Sequence, residues 1–206
     1  MAAPPPSLSA LVQRGMALFR ALDVAGSLAA LDAAHAAHPA ARAQLWQRGL
    51  SLYYAGRYAE GAAQFRLDTQ HNPADAEEAL WACLCEARAL PGGLAQVQAG
   101  MLRVGEDPRP VLRLVLRVYR GEAGAEALAG AARAAGASAH DAFYALLYQG
   151  LLLEAQGRAA ASGECIAQAL ATPYAASSTD YMVSVARVHA QQRGLQLAAA
   201  AAAHAV

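Results

Sequence analysis

Lysine is absent from this chain. All 16 cationic side chains are arginine, and 16 acidic side chains balance them to a formal charge of zero. Without lysine there is no Schiff-base chemistry and no phosphate-loop lysine. Without net positive charge there is no general affinity for nucleic acid or an anionic membrane. Cysteine is scarce: Cys83, Cys85 and Cys165 make an odd count of three. That indicates no disulfide framework and fits a reducing compartment. Long apolar runs are missing as well, since no segment approaches the roughly 18 uninterrupted apolar residues of a membrane span. The opening MAAPPPSLSALVQRGMALF has no secretory leader pattern and no cysteine to acylate. These absences predict a soluble intracellular protein of the cytoplasm or of an organelle, a plastid included, with no membrane span.

Catalytic motifs are lacking too. There is no glycine-rich phosphate loop, nucleophile elbow or paired-carboxylate motif. Cys83 and Cys85 would point about 200° apart on a helix, which suits buried packing rather than a metal. His35 and His38 lie three residues apart with no third ligand near them in sequence. The expectation is a protein that is not an enzyme and has no cofactor and no metal.

What the chain does have is repetition. Residues 45–73 read LWQRGLSLYYAGRYAEGAAQFRLDTQHNP. Leu45, Gly49, Leu52 and Tyr53 share one helical side, and Gly56 breaks the run. Tyr58, Gly61, Ala62, Phe65 and Arg66 follow at helical spacing, and Asn72-Pro73 stops them. Gly15 precedes Gly49 by 34 residues, Leu31 precedes Phe65 by 34, and Pro39 precedes Pro73 by 34. Gly150 and Gly157 repeat the interval from Gly49 to Gly56. A fixed period of this length predicts stacked helical hairpins, a solenoid.

The pattern resembles the tetratricopeptide repeat. In residues 42–75 the repeat positions are Leu45, Gly49, Leu52, Gly56, Tyr58, Gly61, Phe65 and Pro73. In 8–41 they are Leu11, Gly15, Leu18, Ser27, Leu31 and Pro39, with Leu22 in place of the turn glycine. In 143–176 they are Leu146, Gly150, Leu153, Gly157, Ser162, Ile166 and Ala169, with the proline displaced to Pro173. Units 76–108 and 109–142 are degenerate, with helical patches at 79–90, 94–104, 108–120 and 123–135. Asp75 opens a capping-box pattern with Glu78, and Asp107 is placed to cap a helix that begins at Pro108. A helix over 178–193 is expected to cover the open end, with 1–7 a flexible start and 194–206 an alanine-rich tail. The fold class predicted is all-α: a right-handed solenoid of about five hairpins plus a C-terminal covering helix. Segments such as FYALLYQGLLLEAQGRAAASGECIAQAL and DYMVSVARVH are also similar to the tetratricopeptide lipoproteins of the new lipoprotein I type and their stand-alone algal, plant and bacterial relatives. That resemblance implies an all-helical adaptor able to pair as a homodimer.

In such solenoids the first helix of each hairpin lines a concave groove. Carrying the pattern over assigns to the groove Phe19, Trp46, Leu50, Tyr53, Tyr54, Trp81, Arg88, Tyr144 and Tyr148. Arg113, Arg117 and Arg120 form a stripe on one helix. It either faces the groove or is the solvated side of an amphipathic helix. If it faces the groove, guanidinium forks amid aromatics suit an acidic, partly hydrophobic peptide. The lysine- and asparagine-based carboxylate clamp of chaperone-tail relatives is missing. The function expected is a non-catalytic adaptor or scaffold for a protein or peptide partner. The alternatives are a helical-repeat RNA binder, which the neutral charge opposes, and a homodimeric structural subunit.

Overall fold

The computed structural model describes residues 6–195. Among them the chain is all-helical, with no strand. α1 (Leu8–Arg20) and α2 (Val24–Ala37) pack on each other across a three-residue turn. A 3-10 turn over Pro39–Gln44 leads to α3 (Trp46–Tyr54) and α4 (Tyr58–His71), a second packed pair. α5 (Ala76–Ala89) is followed by the short α6 (Gly93–Gln98), then α7 (Pro110–Tyr119) and α8 (Glu126–Arg133). α9 (Ala139–Ala155) and α10 (Ala159–Leu170) form another closely packed pair. α11 (Pro173–Ser177) and α12 (Tyr181–Gln192) end the described chain. No helix among the described residues is long and apolar enough to cross a membrane.

Three of the pairs are built on one contact. A Cβ at Gly15 would lie 2.6 Å from the Leu31 side chain, one at Gly49 2.6 Å from the Phe65 ring, and one at Gly150 2.9 Å from Ile166. In each case the partner is sixteen positions on, so the same glycine notch receives the same large side chain. The turn after the first helix of each pair is equally regular. Gly56 and Gly157 stand at φ +75° and +76°, and Leu22 takes the same left-handed backbone at φ 66° without glycine's freedom. Phe65 also stacks on Trp81, with ring centroids 6.2 Å apart, and so ties the α3–α4 pair to α5. Pro39 opens the 3-10 turn, and the Pro73 carbonyl accepts a hydrogen bond from the Gly105 amide at 2.8 Å.

The structure departs from the expected elements in the middle of the chain. α6 ends at Gln98, and the backbone from Met101 to Asp107 is irregular rather than helical. α7 starts at Pro110, with Arg109 as its N-cap residue. Asp107 does not cap it. Its carboxylate accepts from the Ala76 and Arg109 amides and from the Arg109 guanidinium, which moors the irregular segment to the start of α5. Asp75 does cap α5, accepting from the Glu77 amide at 2.8 Å, whereas the Glu78 Oε2 has no partner.

α12 sits more deeply than a lid over one end. It packs against α1 and α3 from the start of the chain and against α10 from its end. Tyr181, Val183, Val185, Ala186, Val188 and His189 are all buried. Its N-cap is Asp180, which accepts from the Met182 amide at 2.9 Å, and not the Ser177–Thr179 run. Ser7 caps α1, and Leu195 packs over Gly163, so the ends of the described chain are tied down. Residues 1–5 and 196–206, the rest of the expected flexible start and alanine-rich tail, lie outside the described residues.

Candidate functional site

Aromatic packing decides which sequence-predicted groove residues remain accessible. Phe19, Tyr53 and Tyr148 are fully buried, Leu50 nearly so, and Tyr54 and Trp81 are buried as well. Tyr181 explains much of this. It stacks on Phe19 at 5.3 Å and meets Trp46 edge-on at 5.3 Å, so α12 occupies the wall that these residues were expected to show to a guest. Tyr53 donates to Glu154 at 2.8 Å, and the Tyr54 hydroxyl lies 3.4 Å from His189. These tyrosines are core groups whose hydroxyls serve a buried polar network.

That network centres on Glu154 of α9. Besides Tyr53 it holds Arg193, just past α12, and lies 3.4 Å from Arg88 of α5. Burial works to raise the Glu154 carboxyl, but the hydrogen bond from Arg193 and nearby positive charge outweigh it and bring it below the usual carboxylate range. Arg88 also donates to the Tyr58 hydroxyl at 3.0 Å and lies over that ring. It therefore fastens α4, α5 and α9 rather than facing a groove.

The three arginines of the stripe do not share one role. Arg113 donates to the carbonyls of Asp107 and Pro108, and Arg120 to that of Leu102. Both are staples for the irregular 101–109 segment. Arg117 is exposed. None of the three lines the aromatic cleft beside α12.

That cleft has a volume of about 290 Å³ and opens where α3, α4, α5, α9 and the start of α12 converge. From the predicted groove residues it gathers Trp46, Leu50, Trp81 and Tyr144. Sequence reasoning assigned no groove role to Asp75, Glu77, Glu78, Arg109, Asp180, Tyr181 and Met182, which complete its wall with Phe65. Asp75 and Glu78 were read as a capping box, and only the meeting of distant helices makes the four acids neighbours. Asp180 accepts from the hydroxyls of Tyr144 and Tyr174 at 2.8 and 2.7 Å. Glu77 accepts from Tyr148 at 2.9 Å and pairs with Arg109 at 2.6 Å. Burial nonetheless raises the Glu77 carboxyl above the usual range, against the pull of Arg109.

Three cleft residues keep buried polar atoms without partners among the described residues: the Glu78 Oε2, the Trp81 indole Nε1 and the Tyr181 hydroxyl. Burial, together with the charges of Asp75, Asp68 and Glu77, pushes the Glu78 carboxyl up to about 8. Each atom without a partner carries an uncompensated desolvation cost. Elsewhere, burial raises the Cys83 thiol to about 12 and lifts Cys85 well above its normal value, so neither is an activated nucleophile.

No protein-family model matches the chain, and no curated protein matches it.

Proposed function

We propose that this chain is a non-catalytic scaffold of the tetratricopeptide type that holds a segment of a partner protein. The three glycine notches with their partners sixteen residues on, and the left-handed turns at positions 22, 56 and 157, support the repeat reading. The observation that carries the binding reading is the aromatic cleft with its three unpartnered polar atoms. A wall of indole and phenol groups fixed by surrounding helices presents large contact area with little motion left to freeze. The guest enters beside α12 rather than along the whole inner face, because α12 already covers Phe19 and Tyr54.

A homodimer held by an apolar face gains little support. Leu90 is the one exposed large hydrophobic side chain among the described residues, and stable pairing ordinarily needs a broad apolar patch. The RNA alternative is opposed by the acids around the cleft.

Selection of a random peptide library on the immobilised full chain tests the scaffold reading. Enriched peptides should lose binding to Trp46→Ser, which retains its helicity, and keep binding to Arg117→Glu. Failure to enrich any sequence, or binding indifferent to Trp46→Ser, would remove the reading.

A further inference from the structure

The chemistry of the guest can be read from the cleft, on the basis of the scaffold reading above. Four carboxyl side chains line it, Asp75, Glu77, Glu78 and Asp180, against the single guanidinium of Arg109. Arg109 is already shared. It lies 2.6 Å from Glu77, 2.8 Å from Asp107 and 3.7 Å from Asp75. Asp180 is engaged by two tyrosine hydroxyls and the Met182 amide.

Glu78 is the exception. It is only 8% exposed, it lines the cleft, and its Oε2 accepts no hydrogen bond. Beside it stand two indoles whose faces carry negative potential, Trp81 and Trp46, while the Tyr181 ring is already engaged by Phe19 and the Arg20 guanidinium. The raised Glu78 carboxyl holds a proton near neutral pH and releases it beside a positive charge, so it and the indole faces favour the same visitor, a cation that can donate hydrogen bonds. A carboxylate or phosphate would instead enter among four acids, with only a committed arginine to meet it.

We propose that the cleft seats a basic side chain, arginine or lysine, of a partner-protein segment, with Glu78 as its counter-ion and Trp46 and Trp81 as its walls. The ligand class is thus a basic, partly apolar peptide, opposite in charge to the acidic one expected from the arginine stripe.

The chain has two tryptophans, and both line the cleft, so the indole N–H signals of the 15N-labelled full chain report on this place alone. The probes are four peptides of one sequence, with arginine, lysine, norleucine or glutamate between two leucines, and free arginine amide. The arginine and lysine peptides should shift the Trp81 signal and bind about tenfold more tightly than the other two, the scale of a desolvated cation–aromatic contact. Glu78→Gln should remove most of that preference without weakening the norleucine peptide. Equal or tighter binding of the norleucine or glutamate peptide would overturn the proposal, as would no response to any cation. Arginine amide that binds as tightly as its peptide would uphold the cation site while removing the scaffold reading.

Discussion

At Gly49 the structure leaves no room for a single carbon atom. A Cβ there would stand 2.6 Å from the Phe65 ring, whose far side is held by Trp81. Gly49→Ala should therefore cost about 1–3 kcal/mol in chemical denaturation. Phe65→Leu in the same chain should recover part of that loss, and a double-mutant cycle would expose the coupling. Gly130 offers the contrast. It is exposed within α8, and a Cβ there would meet nothing within 4 Å. Gly130→Ala should raise stability by about 0.5–1 kcal/mol, since only the helical entropy cost of glycine is removed. The notches were legible in the sequence because glycine and partner sit sixteen residues apart and recur at a 34-residue spacing in the first two units. The conformation of Leu22 was not, since leucine gives no sign of a left-handed backbone, and only alignment with Gly56 marked the position as a turn.

Among the elements, α12 is the one whose place the sequence concealed. Its apolar spacing marked a helix, yet burial on nearly every side depends on α1, α3 and α10 closing around it. The irregular 101–109 segment was hidden for a related reason. Residues 101–104 continued the apolar pattern of the preceding patch, but Arg113, Arg120 and the Asp107 carboxylate capture the segment's backbone or anchor it to α5. Tyr181 is the joint of α12. It is wedged between Phe19 and Trp46, with the Arg20 guanidinium 5.1 Å from its ring centre. Tyr181→Ala should cost about 3–5 kcal/mol, the usual range for emptying a buried aromatic site. It should also raise amide hydrogen exchange in α12 and α1 well before α9 and α10 are affected. Uniform loss of protection through all helices would show that α12 is not a separately anchored element.

On the scale of the whole molecule, a neutral chain conceals local charge. The 16 arginines and 16 acids cancel in sum, while the fold concentrates acids at the cleft and commits arginines to staples. The cleft was half legible, through Trp46, Leu50, Trp81 and Tyr144. The acids from the start of α5 and the residue before α12 are about a hundred positions apart in sequence, so no local pattern joins them.

The same buried acids set the response to pH. Burial raises Asp68 to about 7 and Glu78 to about 8, while burial lowers His189 to about 4. Glu78 is faced by Asp75 and Glu77 of its own helix start and Asp68 of α4, with His71 of α4 beside the adjoining depression and Arg109 and Asp180 across the cleft. Asp68 accepts from Gln64 and lies near the Arg48 charge. His189 is faced by Glu154, Arg193 and Arg88. For both raised carboxyls the folded state binds the proton first, so their contribution is complete below about pH 4 and disappears as pH rises through 7 and 8. For His189 the unfolded state binds the proton first, so its contribution is complete above about 6.5 and is lost as pH falls towards 4. The carboxyls act alone between about pH 8 and 6.5, and thermal stability should rise as pH falls through that window. The two effects then oppose each other down to about pH 4.5. Glu78→Gln and Asp68→Asn should each raise Tm most at the alkaline end and flatten the upper limb, with little change near pH 5. Calorimetry of both variants across pH 5–9 decides the matter, because an unchanged alkaline slope would mean that these carboxyls do not titrate where their burial places them.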